Sequence, residues 1–303
     1  MRALAAYILR SRWHAITVTG LFGLATVFVP VPPLMYLSGA VLCLCLLRRG
    51  LRASLEVLAG ATVLLGVLSL LLWHSLVFAM AMLVCFWLPA LVLAWVQALT
   101  ADPGRMLLAA FVLVAVLLVL VHANGVDLGA AWVEWLDAMS GLMPPDLGLQ
   151  FDPAVVRQWA WWLTGMLASV MAIGMVLTVF IGRWWQSLLY RPGGFGEEFR
   201  ALRLPPRMGV LVAITLVFAA LQWSSGTPGL AAELLMVAVS LYMFQGLAVL
   251  HAQVAAQRML AFWLVLVYVA MFLLQQRAVL AIGFLGMMDS LLDFRRVRRQ
   301  GGA

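Results

Sequence analysis

Long apolar runs alternate along the chain with short polar or helix-breaking stretches. Ten runs stand out, at about 13–29, 34–47, 53–73, 76–99, 106–122, 159–182, 208–223, 228–250, 259–274 and 278–292. Each is apolar on all sides rather than along one stripe, the pattern of a segment surrounded by hydrocarbon. In lipid a spanning segment must satisfy its backbone polar groups internally, so each run is predicted to be a helix. The stretches between them are turn or charge signals: VPVPP at 29–33, RRGLR at 48–52, DPGR at 102–105, SSGTPG at 224–229 and QQR at 275–277. Runs 34–47, 259–274 and 278–292 fall short of the ~20 residues needed to cross a bilayer. The first pair and the last pair of runs are therefore either true hairpins or re-entrant loops. The expected fold class is an all-α, polytopic integral membrane helix bundle with about eight to ten membrane segments, forming a single transmembrane domain over 1–303.

Composition agrees with that pattern. The chain is 65% hydrophobic and only 10% charged, whereas a soluble domain carries about a quarter charged residues. The net charge of +7 is carried by 19 basic residues, all arginine. They sit in the short connecting segments, which is topogenic charge rather than a nucleic-acid surface. With the N-terminus inside and ten alternating crossings, only Arg157 and Arg277 of the 19 arginines fall outside. Both termini are thus expected in the cytoplasm of a bacterial-type inner membrane. Arg2, Arg10 and Arg12 precede the first run in the manner of a signal peptide, but no small-x-small site follows. That run is read as an uncleaved membrane helix.

Two connecting regions have a character of their own. The outer loop 123–158 contains DLGAAWVEWLDAMSGLM, in which Trp132, Trp135, Leu136, Met139 and Met143 recur at helical spacing. This predicts an amphipathic interfacial helix, capped by Asp127 and ended by Pro144-Pro145. Asp152-Pro153 then starts the next membrane helix. The cytoplasmic loop 183–207 carries RPGGFGEEFRALRLPPR, too polar for lipid. With Arg200, Arg203 and the C-terminal arginines, it is the best surface for a cytoplasmic or membrane protein partner.

The candidate chemistry is sparse. On the eighth run Glu233, Ser240, Phe244 and His251 share one helix face, being 7, 11 and 18 residues apart. One reading is a substrate-binding or proton track; the other is two wetted residues near opposite interfaces, about 27 Å apart. On the last run Asp289 and Asp293, with Arg295 and Arg296 beyond them, are either an ion or partner site or an internally paired helix end. No metal site is expected, because Cys43, Cys45 and Cys85 lie in apolar runs and His14, His74 and His122 have no second ligand at suitable spacing. The absence of lysine removes Schiff-base and Walker-type chemistry. No HExxH, GxSxG, GxGxxG ahead of a strand, or GxxxxGK occurs, and no cofactor is called for.

Three strings, GGFGEEFRALRLPP, FQGLAVLHAQ at 244–253 and FLGMMDSLLDFRRVRR, resemble the YybS-like family of uncharacterised predicted bacterial membrane proteins. The last is the most specific and singles out Gly286, Asp289, Asp293 and Arg295. That family has no established activity, so the resemblance implies fold and location. Through its distant similarity to the substrate-binding membrane subunits of energy-coupling-factor transporters, it also implies a pocket toward the outer side and a partner that hydrolyses ATP. Three functions stay open: a transporter-like subunit binding a small solute, a non-catalytic envelope scaffold that recruits partners, and an intramembrane lipid-modifying enzyme using Asp289 or Glu233.

Overall fold

The structure is a computed structural model and describes residues 1–28, 32–125, 128–141, 153–223, 229–256 and 260–295. Among these residues every regular element is a helix: α1 (Arg2–Ile8), α2 (Arg12–Phe28), α3 (Pro32–Arg49), α4 (Leu51–Trp73), α5 (Val77–Ala81), α6 (Leu88–Thr100), α7 (Pro103–Ala123), α8 (Leu128–Gly141), α9 (Pro153–Tyr190), α10 (Gly194–Ala201), α11 (Pro206–Trp223), α12 (Leu230–Ala255), α13 (Phe262–Leu274) and α14 (Gln276–Leu292). All ten apolar runs recur as helices. By length and composition, five spans among the described residues are each able to cross a membrane: Leu51–Trp73, Val77–Thr100, Pro103–Ala123, Trp162–Tyr190 and Leu230–Ala255. Gly194–Ala201 with Pro206–Leu221, bent by 47°, makes a sixth if counted as one broken span. The difference from eight to ten segments lies in the short runs, whose helices are too short for the full hydrocarbon thickness. The chain is a polytopic helical membrane protein.

Backbone chemistry explains the breaks. Gly50 alone joins α3 to α4 and takes φ +85°, which a residue with a Cβ resists. Pro89 has no N–H for the carbonyl of Cys85 and crowds it. The helix accordingly widens into a π turn over Met82–Trp87 between α5 and α6. Asp102 caps α7, its Oδ1 accepting from the Gly104 N–H at 2.8 Å and the Arg105 N–H at 3.4 Å.

The chain divides into two compact units, with boundaries inside α7 and α9. Unit 1 comprises Met1–Ala110 and Ile173–Arg203. Its interior polar groups are mostly neutral. The Trp87 indole donates to Ser38 Oγ at 3.0 Å, and Ser38 Oγ donates to the Thr19 carbonyl at 2.8 Å. Ser54 Oγ donates to the Leu42 carbonyl at 2.9 Å. The polar segment after α9 is more than a loop: it folds back as α10 on the end of α9. Phe180, Phe195 and Phe199 pack their rings mutually, and Ser187 Oγ accepts from the Phe195 N–H at 3.1 Å. The adjacent acids face different ways: Glu198 receives two hydrogen bonds from Arg183, and Glu197 pairs with Arg191 at 2.7 Å.

Unit 2 comprises Phe111–Ala172 and Leu204–Ala303. Helix α12 is its axis, buried from Val237 to Val249 except at Val239. It meets α14 at backbone contact: a Cβ on Gly246 would lie 2.0 Å from the Ile282 carbonyl oxygen, and one on Gly286 would lie 2.1 Å from that of Tyr242. Helix α13 buries none of its residues. Helix α8 forms where the amphipathic segment is expected, with Trp132 donating to Thr164 Oγ1 at 2.8 Å and Trp135 and Met139 exposed. The expected caps at Asp127 and Asp152, and the stop at Pro144-Pro145, lie outside the described residues.

Candidate functional site

Glu233 sits in the first turn of α12, where the helix dipole favours negative charge. Its residue is only 4% exposed. Gly165 of α9 lies against it: a Cβ there would come within 3.1 Å of Glu233 Cα and 2.8 Å of Met236 Sδ. Helix α7 ends beside it, placing His122 Nε2 3.7 Å from Glu233 Oε2. That separation exceeds hydrogen-bond reach, and Oε2 is buried with no hydrogen-bond partner among the described residues. The other ring nitrogen of His122, Nδ1, lies 3.1 Å from the Leu118 carbonyl. A carbonyl only accepts, so Nδ1 donates and carries the proton.

The rest of the four-residue face does not join this cluster. Ser240 is buried and returns its hydroxyl to the Met236 carbonyl at 2.8 Å, as helix serines do. Phe244 is 2% exposed. His251 meets the Tyr268 hydroxyl of α13 at 2.8 Å, about 27 Å along the helix from Glu233.

A second cluster lies further along α12. Gln245 Nε2 donates to Asp289 Oδ2 at 2.9 Å and to Ser290 Oγ at 3.0 Å, and its Oε1 accepts the Leu204 N–H at 2.8 Å. Arg295 donates to Asp289 Oδ2 at 2.6 Å. Helical spacing alone joins Asp289, Asp293 and Arg296 on one continuing face. Helix α14 instead ends at Leu292, with Asp293 in the left-handed region at φ +46°. The chain turns there, so it is Arg295 that comes back to Asp289. Arg296 lies outside the described residues. Arg200 and Arg203 belong to unit 1, at the end of α10 and just beyond it.

Sequence reasoning misses His122 and Gln245. By sequence His122 is a boundary residue, and no spacing rule links it to a glutamate 111 positions later. The usable signal is topological: alternation puts the end of the fifth run and the start of the eighth at the same face. Gln245 is a polar residue inside an apolar run, and that alone marks it. Among the described residues no group of three His, Cys, Asp or Glu side chains gathers to hold a metal.

These features define a multi-pass helical membrane protein with two buried carboxylates in one unit among the described residues. Residues 155–290, a little under half of the chain, match the model of a family described as a predicted membrane protein, DUF2232. The match covers both the Glu233 and the Asp289 positions. Neither a curated protein nor a solved structure matches the chain.

Proposed function

We propose that this chain is a transporter-like membrane subunit that binds a small solute in unit 2, around Glu233. The membrane is read as a bacterial inner membrane with both termini cytoplasmic, on the arginine distribution. One observation carries the proposal: a buried glutamate in a membrane-spanning helix keeps an oxygen without a hydrogen bond among the described residues. Ionisable residues inside membrane segments are costly and mark substrate or ion pathways. Glu233, walled by Gly165 and faced by His122, fits that description. Ser240 and Phe244, further along the same buried helix, would set the depth of the site, and His251 would lie at the opposite end.

A second reading has its own support. Helix α10 is held in place by the Arg183–Glu198 pair and three phenylalanines, which suits a fixed docking element. Arg200 and Arg203 would recruit a cytoplasmic partner there, as Arg295 and Arg296 would at the C-terminus. The separating experiment is purification from native membranes in mild detergent, with mass spectrometry of bound small molecules and proteins. A small molecule retained by the wild type and lost from Glu233→Gln supports the solute-binding reading. Envelope proteins recovered without a ligand, and lost when 191–207 is altered, would replace it with the second.

A further inference from the structure

We infer that the Glu233 site selects small solutes bearing a protonated amine, held between the Glu233 carboxylate and the His122 imidazole; this rests on the solute-binding reading above. The balance of donors and acceptors sets the selectivity. Glu233 Oε2 is buried and has no hydrogen-bond partner among the described residues, and His122 Nε2 stands 3.7 Å away, beyond hydrogen-bond reach. A buried carboxylate oxygen without a donor calls for a group that donates to it. An ammonium does this and also neutralises the carboxylate, giving charge-assisted hydrogen bonds. A neutral amide would leave the charge uncompensated. An anion would be repelled by Glu233. A metal ion would lack ligands, since no third His, Cys, Asp or Glu joins the pair among the described residues.

Gly165 of α9 lets Glu233 and Met236 pack directly against that helix: a Cβ there would come within 2.8 Å of Met236 Sδ and 3.1 Å of Glu233 Cα.

The test uses the full chain in nanodiscs and three radiolabelled probes of similar size: phenethylammonium, phenylacetamide and phenylacetate. Saturable binding of phenethylammonium alone is expected. It should weaken about 10- to 100-fold in Glu233→Gln and roughly threefold to tenfold in His122→Ala. Should either variant fail to fold, the wild type alone decides. A hydrophobic carbodiimide should label its Glu233, and phenethylammonium should protect it. Equal binding of the neutral or anionic probe overturns the amine selectivity while keeping solute binding at the site. Binding of none of the three, or labelling of Glu233 unaffected by phenethylammonium, overturns the amine proposal. Solute binding itself then stands or falls on the small-molecule recovery described above.

Discussion

Among the described residues unit 2 buries two carboxylates, and the donors around them differ. Asp289 is 2% exposed and its Oδ2 sits in a knot: Arg295 at 2.6 Å, Gln245 at 2.9 Å, and Gln245 in turn held by the Leu204 backbone and Ser290, while Oδ1 is buried with no hydrogen-bond partner among the described residues, like Glu233 Oε2. Glu233 is 4% exposed and, among the described residues, its Oε2 has no hydrogen bond and an imidazole at 3.7 Å. Two groups of the same chemistry, one on α12 and one on the helix packed against it, therefore differ in how completely the protein itself answers their charge. A buried carboxylate answered by the fold is part of the fold. One left half-answered is available to something that is not part of the fold.

The largest effect should follow from breaking the answered one. Asp289→Ala leaves Arg295 and Gln245 facing one another without their acceptor, and removing one member of a buried pair costs about 3–5 kcal/mol. Unfolding by SDS titration in mixed micelles should show a loss of that order. Asp289→Asn, which keeps an acceptor for Gln245 but not the charge for Arg295, should fall between. If Asp289→Ala unfolds like the wild type, the knot is not structural and its contrast with Glu233 disappears.

Next in size is the contact beside the knot. A Cβ on Gly286 would sit 2.1 Å from the Tyr242 carbonyl and 2.8 Å from the Gly246 nitrogen. Neither is a flexible side-chain end, so the helices must separate. Gly286→Ala should cost about 1–3 kcal/mol, read by the same titration. Loss of binding without loss of stability would mean that α14 matters to the site rather than to packing.

Smaller still is the Arg183–Glu198 pair, with both side chains about one-quarter exposed. Glu198→Gln should cost no more than about 1 kcal/mol after solvent screening. Limited proteolysis should nonetheless cut more readily between α9 and α10, since this pair helps hold α10 on its phenylalanines.

Much of this is legible without coordinates. The ten apolar runs become helices within a few residues, because hydrophobic length and breaker residues are local properties. RRGLR becomes a one-residue reversal at Gly50, and DPGR a capped helix start. The amphipathic segment around Trp132 and Trp135 becomes α8. The pairings across helices are not legible. Gln245 to Asp289 and Glu233 to His122 depend on which helices are neighbours, and periodicity along a single helix carries no such information. The C-terminal pairing is only partly legible for a related reason: helical spacing past Leu292 assumes that the helix continues, whereas Asp293 in the left-handed region turns the chain and Arg295 reaches Asp289. Helix α10 escapes detection because eight residues with two glycines carry little helical signal, and its stability comes from Phe180 and Arg183 on the preceding helix.

The smallest expected effect is the most diagnostic. Glu233→Gln removes a charge whose facing oxygen makes no hydrogen bond among the described residues, so little native structure is lost with it. The amide occupies nearly the same volume beside Gly165, and its cost of burial is lower than that of an ion. What disappears is an attraction to His122 across 3.7 Å, present only when the imidazole is charged. Stability measured by SDS titration should therefore stay within about 0.5 kcal/mol of the wild type, while solute retention falls sharply. That pairing of outcomes is the mirror image of Asp289→Ala. A stability loss of several kcal/mol in Glu233→Gln would show that the fold depends on this carboxylate after all. Glu233 and His122 would then be a structural ion pair, and the two buried carboxylates would no longer differ in kind.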